Sequence, residues 1–495
     1  MESITVDNLK HLATSDPGLP VRFPTHAGWQ AEPSRLAEVQ SQTLPGLVDV
    51  VIVGSGITGA SVAKTLLEGS ASAQVAMLEA RTLCSGATGR NGGQIATYGT
   101  ALYSSAKSLI GIEAATRFVD FTLKNVEALA ALMEEYVPVD AEYRKVDRVR
   151  TFSDDVYFQE VKRSVAEYEK DNPQSIHKGM YTFKTSDELL KEHGIHGAVG
   201  GMVFPAAACW PYRFISKLYQ SLLEKYRTRF SIETNTPATA ITYEAHGDPS
   251  HPYLVATPRG TTRATHVVHA TNGYSGHLVP ELRGRVIPYR GTMTVQDLSS
   301  AVPNHGYAKT WSIHHKPKVD RDFEAIATGA FYLQQNAHTG HFWFVGECKK
   351  ASMTVTADDS FTDGIAVDYL RAKLARFFGL EPSLAHKLVA AWTGIMGFTA
   401  DGFPMVGPLP NSVTSRQGSG EWIAAGFNGV GMSLCLLSGE AVANMILGHA
   451  VDTDFPGEVF ALSQGRMQKR LTTDETLKNL SFFVDLPSKS RTSRL

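Results

Sequence analysis

Cysteine is scarce in this chain. Cys84, Cys209, Cys348 and Cys435 are the four in 495 residues, and no two stand at CxxC spacing. That excludes a thiolate zinc site and a disulfide framework, and it suits a reducing compartment. Charge of one sign is also missing: 47 basic and 49 acidic residues leave a formal net charge of -2, with a pI of about 6.8. No long-range field would gather nucleic acid or an anionic bilayer, so neither partner is expected, and no metal. The first residues, MESITVDNLK, carry acids where a signal peptide has a basic and then an apolar run. No secretory leader is expected, and the Asn479-Leu480-Ser481 sequon reads as fortuitous. Long apolar runs are absent too. Residues 422 to 439 come nearest to a membrane span. Their four glycines and Asn428 break them into a strand, a glycine loop and a helix, which reads as buried core.

What is present starts with length, which calls for more than one core. Residues 1 to 46, with Pro17, Pro20, Pro24, Pro33 and Pro45 and no sustained periodicity, predict an extended N-terminal arm. A buried strand from Val48 to Val53, a helix from Ile57 to Glu68 and a strand from Gln74 to Glu79 make a βαβ opening. Helices are expected over 101–136, 154–170, 184–192 and Tyr212 to Tyr226, with an irregular crossing from Val203 to Pro211. Short strands dominate 230–347, among them Val267 to Ala270, Arg285 to Asp297 and His341 to Gly346. A helix from Asp363 to Gly379 precedes the last glycine-rich stretch. This order predicts a nucleotide domain built from 47–100, 203–275 and 395–455. A substrate or cap domain follows from 101–202 and 276–394, and residues 456–495 read as a tail.

Gly54-Ser55-Gly56-Ile57-Thr58-Gly59 is G-x-G-x-x-G placed directly after the first strand and opening the first helix. Gly54 allows the tight turn, Gly56 lets a pyrophosphate reach the helix N-terminus, and Gly59 permits close helix–strand packing. Glu79, followed by Ala80 and Arg81, ends the second strand where a carboxylate takes ribose hydroxyls. This motif alone does not separate FAD from NAD. The next segment does: Ser85-Gly86-Ala87-Thr88-Gly89-Arg90-Asn91-Gly92-Gly93-Gln94 is a second small-residue loop. A nicotinamide enzyme has no need of one here. A flavin enzyme needs donors that reach both pyrophosphate and ring system.

With these residues the chain resembles the D-amino-acid oxidase superfamily, especially the branch of glycine oxidase, sarcosine oxidase and gamma-glutamylputrescine oxidase. The likeness continues through Thr236-Pro237-Ala238, Val267-Val268-His269-Ala270-Thr271-Asn272-Gly273 and Trp392-Thr393-Gly394. It runs on through Gly397, Thr399-x-Asp401-Gly402-x-Pro404 and Gly426-Phe427-Asn428-Gly429-Val430-Gly431-Met432. The resemblance implies an α/β plus α+β chain: a Rossmann-type, GR2-like FAD-binding domain with an inserted antiparallel-sheet substrate domain. It implies FAD held by the motif residues named above, Ala238 beside adenine. The helix after Met432 points its N-terminus at the flavin edge where charge collects on reduction. The implied reaction is oxidation of a small amine at CH–NH or CH–NH2 to an imine, by hydride transfer to flavin N5. Reoxidation by oxygen gives hydrogen peroxide. An FAD-dependent dehydrogenase with another acceptor and a non-catalytic FAD-bound assembly factor are the alternatives.

The family pattern breaks in two places. Sarcosine oxidase-like members attach FAD through a cysteine where this chain has Gly394, so FAD is expected to be non-covalent, with Cys209 the first cysteine to check. Glycine oxidase-like members hold the substrate carboxylate with an arginine where this chain has Met396. An amine with no charge on the neighbouring carbon is therefore expected, unless Arg290 or Arg213 replaces the clamp. Trp210, Tyr212, Tyr289, Arg290, Tyr332, Gln334 and Trp392 are the candidate pocket residues with Met396, each with an alternative reading as core. His314-His315 lies in a polar stretch and reads as surface. Ser493-Arg494-Leu495 is a close variant of the S-K-L address, so a peroxisomal import receptor is an expected partner in a eukaryotic host, with the cytoplasm otherwise.

Overall fold

The computed structural model describes residues 4–137, 139–244, 246–298, 301–382 and 386–484. The expected peroxisomal address, Ser493-Arg494-Leu495, lies outside them.

The apolar run Leu47–Val53 is nearly all buried and shows no alternation, because it is the middle strand of a mainly parallel sheet covered on both faces. Val75–Leu78 flanks it on one side and Gly260–His269 on the other, with Val53 level with Leu78 and with His269. Phe230–Glu233 extends one edge, and Glu421–Ala425 and Met405–Pro408 extend the other. The helix Ile57–Gly69 starts at the glycine turn and packs against the distant helix Cys435–Leu447. Gly439 makes that approach possible: a Cβ there would lie 2.7 Å from the Thr58 carbonyl oxygen. The Ser61 hydroxyl donates to the Leu436 carbonyl at 2.5 Å, fixing the two helices in register.

The second sheet runs Lys387–Thr399, Val286–Asp297, Phe342–Val345, Ala330–Gln335, Lys309–His314, Arg144–Phe152, Gly200–Ala208, Gln94–Ile95. Val286–Asp297 is buried along almost its whole length and pairs with Lys387–Thr399 throughout, with one register shift at Val295/Gln296. Sheet membership moves the expected domain limits. Gly200–Ala208, read from sequence as an irregular crossing, is a nine-residue strand paired with Arg144–Phe152. It and Gln94–Ile95 therefore belong to the second sheet and not to the nucleotide part.

Three other expectations change for local reasons. The helical stretch at 101–136 is two helices, Gly99–Ile110 and Ile112–Tyr136, because Gly111 turns the chain at φ 85°. The N-terminal arm contains the helix Val6–Thr14, capped by Thr5, with Leu9 and Ala13 buried. The expected tail contributes Gln464–Lys469 and Thr473–Asn479, and the latter packs against that first helix. Among the described residues no helix is long and apolar enough to cross a membrane.

Candidate cofactor and substrate site

One cavity of about 730 Å³ runs from the end of the parallel sheet to the second sheet. At the first end it is lined by Gly54, Ser55, Gly56, Ile57, Thr58, Glu79, Ala80 and Arg81. Gly86, Ala87, Thr88, Ala238, Thr271 and Asn272 complete this end. Glu79 is set by the loop it serves: its carboxylate accepts from the Ser55 amide at 3.1 Å, the Ser55 hydroxyl at 2.6 Å and the Arg81 amide at 3.0 Å. Thr88 ties the second loop to the first, its Oγ1 accepting from the Ile57 amide at 3.0 Å. A Cβ on Gly56 would meet that same Oγ1 at 3.0 Å, and one on Gly86 would meet no atom within 4 Å. The bare backbone at Gly56 and the open face at Gly86 form a cradle that fits a dinucleotide pyrophosphate at a helix N-terminus.

Arg90, Asn91, Gly92 and Gln94 line the middle of the cavity, with Phe427, Asn428, Gly429, Gly431 and Met432. The charged groups of Arg81, just after the second strand, and Arg90, in the second loop, are committed to the protein itself. Arg81 holds Asp359 at 2.9 and 3.1 Å, and Arg90 donates to the carbonyls of Ser85, Thr25 and Thr393. Asn272 Oδ1 accepts from the Gly426 amide at 3.1 Å, and Asn428 Oδ1 accepts from the Thr399 amide at 2.8 Å. These bonds stitch three distant motifs into one wall.

Six expected cofactor positions stand behind that wall. A Cβ on Gly59 would lie 2.1 Å from the Gly54 carbonyl oxygen, so this glycine serves packing. Gly93, Gly273, Gly397 and Gly426 are likewise pressed by neighbours, at 2.4 to 2.6 Å from a built Cβ. Asp401 does not line the cavity: Arg466 grips it with two bonds, Nε to Oδ2 at 2.9 Å and Nη2 to Oδ1 at 3.0 Å. No motif pointed to that partner, because it comes from the region read as tail.

Of the expected substrate residues, Tyr289, Tyr332 and Met396 line the far end, and Trp210, Tyr212, Arg290 and Trp392 do not. Trp210 donates to the Trp29 carbonyl and packs on Trp29 and Trp343; Tyr212 accepts from the Ser34 amide. Trp392 donates to the Arg90 carbonyl. Gln334 donates to the Gly92 carbonyl. Neither arginine offered as a replacement clamp reaches the cavity. Arg290 donates to the carbonyls of Met353 and Asp358, and Arg213 pairs with Glu142 and Glu32. His314 and His315 are buried, not on the surface, and His314 lines the cavity at the end of a central strand.

Among the lining residues that sequence reading missed are Tyr98, Arg150, Glu347 and, as a site residue, His314. Glu347 Oε1 accepts from the Thr292 amide at 2.8 Å, and its other oxygen pairs with Lys349, which also donates to the Arg290 carbonyl. Burial pushes the Glu347 carboxyl above its ordinary pKa, against the pull of Lys349. Glu347 and Met396 converge: a Cβ on Gly291 would meet Glu347 Oε1 and Met396 Cε, each at 3.1 Å. The signal for Arg150 was Arg148-x-Arg150 inside a strand, two charges on one face, which looks like a solvated face until the sheet is closed over it. Among the four cysteines, Cys435 lines the cavity and Cys209 does not; burial pushes the Cys435 thiol up to about 12.

Comparison with known proteins accords with this geometry. A family model described as FAD dependent oxidoreductase matches residues 49–445. The chain is 23% identical over 416 residues to the probable oxidoreductase OrdL of Rhizobium meliloti (strain 1021), covering 82% of this chain and 84% of that protein. It is 23% identical over 405 residues to the gamma-glutamylputrescine oxidoreductase of Escherichia coli (strain K12), covering 81% and 84%. Glycine oxidase from Geobacillus kaustophilus superposes with a TM-score of 0.63 at 20% identity, over 85% of this chain and 99% of that one.

Proposed function

The chain belongs to the FAD-dependent oxidoreductase family, and from that premise we propose that it is an oxidase of a small amine that uses molecular oxygen as acceptor and releases hydrogen peroxide. Its cofactor is FAD. The residues that would hold it are the Gly54 to Thr58 turn, Glu79, the loop from Gly86 to Gln94, Ala238, Thr271 and Asn272, and the segment from Phe427 to Met432. Bound there, FAD supplies the acceptor for the hydride that leaves the carbon next to nitrogen.

The observation that carries the proposal is continuity. The same cavity passes from the nucleotide cradle to an end formed by Tyr289, Tyr332, Met396 and Glu347. An amine arrives as an ammonium ion and must lose a proton before its carbon can give hydride. Glu347 is the carboxylate facing that end, and burial, which raises its pKa, makes it a better proton acceptor than an ordinary carboxylate. Tyr289, buried, and Tyr332, partly buried, exclude water and shape the approach of the carbon–nitrogen bond. Cys435 stays a protonated thiol, and Gly394 offers no attachment, so FAD is held without a covalent bond.

The test of the acceptor is reoxidation. Protein reduced by an amine is mixed with aerated buffer, and the yellow colour and peroxide are followed together. Fast recolouring with one peroxide per flavin supports the oxidase; slow recolouring points to a dehydrogenase with another acceptor.

A further inference from the structure

We infer that the substrate end carries an anion subsite centred on Arg150, which grips a carboxylate of the substrate far from Met396. The substrate class is then an amine whose acidic group lies several bonds from the reacting carbon–nitrogen bond. This rests on the reading that the reacting end is at Met396 and Glu347.

Arg148 and Arg150 are neighbours on one face of the strand Arg144–Phe152, and both are buried. Arg148 donates through both terminal nitrogens to neutral acceptors, the Gln94 side-chain oxygen and the Tyr98 hydroxyl, the latter at 2.7 Å, and only its Nε has no partner. Arg150 makes neither bond. Its guanidinium stacks 4.9 Å above the Tyr98 ring and 5.4 Å above the Phe152 ring. Its Nε and Nη1 have no hydrogen-bond partner, and among the described residues no carboxylate pairs with it. His314, which also lines this part of the cavity, has an unpartnered Nε2. A guanidinium taken out of water without an anion is costly, so the arrangement makes sense when a ligand brings the anion. Arginine suits a carboxylate because its planar fork offers two parallel N–H donors.

Position in the sheet sets where that carboxylate sits. Between the strand of Arg150 and the strand of Met396 stand Lys309–His314, Ala330–Gln335, Phe342–Val345 and Val286–Asp297. The amine's place, Glu347, is nearer: it follows Phe342–Val345, three steps of about 4.8 Å along the sheet from the strand of Arg150. A carboxylate on the reacting carbon cannot be at both ends. A carboxylate at the far end of an extended chain can, with the amine at Glu347. The cavity thus offers a cation at one end and a carboxylate at the other.

The experiment uses the FAD-loaded protein. Unbranched monocarboxylates, butyrate and hexanoate, are titrated against it, with butylamine as the uncharged-tail control, and the flavin spectrum and thermal midpoint are read. Carboxylate should perturb the flavin and raise the midpoint, and Arg150→Met should weaken this about ten- to a hundredfold. Without ligand Arg150→Met should melt no lower than the parent, because it removes an unpaired buried charge. In turnover, an ω-amino acid should exceed both the matched alkylamine and the matched α-amino acid in kcat/KM, and the variant should erase that lead. Carboxylate binding unchanged in Arg150→Met, or a lead for the α-amino acid that survives the variant, overturns the subsite. Should Arg150→Met fail to hold FAD, Arg150→Lys decides, because loss of the fork must still weaken carboxylate binding. Saturable, Arg150-dependent carboxylate binding without reduction by any amine would leave the subsite standing and refute the amine reading instead.

Discussion

Asp401 separates the two accounts of its role sharply. Its place in the family-like motif points to the cofactor, whereas the structure spends both carboxylate oxygens on Arg466. Neither side chain is exposed by more than 1%. Arg466 also donates to the carbonyls of Phe403, Pro404 and Phe460, so it cannot follow a departing partner into solvent. Asp401→Asn removes the negative charge and leaves the cation buried, which costs about 3–5 kcal/mol. Unfolding entropy of about 2.1 cal/mol/K per residue over 495 residues gives about 1 kcal/mol/K. The melting midpoint should therefore fall by about 3–5 °C, with flavin content per protein unchanged. The double variant Asp401→Asn/Arg466→Met should recover part of the loss, since the stranded charge is gone. The assay is thermal unfolding by circular dichroism beside the flavin-to-protein absorbance ratio. Loss of flavin at an unchanged midpoint would refute the structural role and restore Asp401 to the cofactor.

Gly56→Val should give folded but colourless protein, because the new side chain fills the cradle beside Thr88; absorbance after purification checks it. Acid precipitation should leave flavin in the supernatant, and flavin kept in the pellet would make Cys435 the first residue to replace. Glu347→Gln should lower kcat by about 10²–10⁴ and remove the acidic limb of the kcat/KM profile, which the raised Glu347 pKa places above the ordinary carboxylate range. Burial alone would raise Glu421, but hydrogen bonds from Arg416 and His269 bring it down to about 2. Its stabilisation, about 3 kcal/mol, is present above the unfolded carboxylate pKa and is lost as pH falls toward 2. The stability gap between parent and Glu421→Gln should therefore close in acid.

The nucleotide end was legible because its requirements are local. A Val/Ile strand, a glycine turn and Glu79 lie within one βαβ unit, and each glycine's role follows from a backbone contact that any sequence reader can anticipate. The substrate end was not, because it is assembled across the sheet order. Trp210 and Trp392 look like pocket residues but pack with Trp29 and Trp343, and Trp29 lies in an arm whose folding no periodicity announced. Arg150 and His314 come from two strands far apart in sequence, and Glu347 from the link after a third, Phe342–Val345. They become a site only when Lys309–His314 pairs with Arg144–Phe152 in parallel, a register that no turn signal encodes. The tail was misread for the opposite reason: its helices are short, and one buried arginine, Arg466, fastens them to the body.

The account stands or falls on whether an amine delivers electrons to bound FAD. The direct measurement is anaerobic mixing of the purified yellow protein with a panel of amines, ω-amino acids and α-amino acids, following the bleaching of the flavin. Stoichiometric bleaching by at least one amine-bearing compound, slowed in Glu347→Gln, is the expected result. Flavin that stays oxidised with every member of the panel, or protein that carries no flavin and binds NAD, would contradict it.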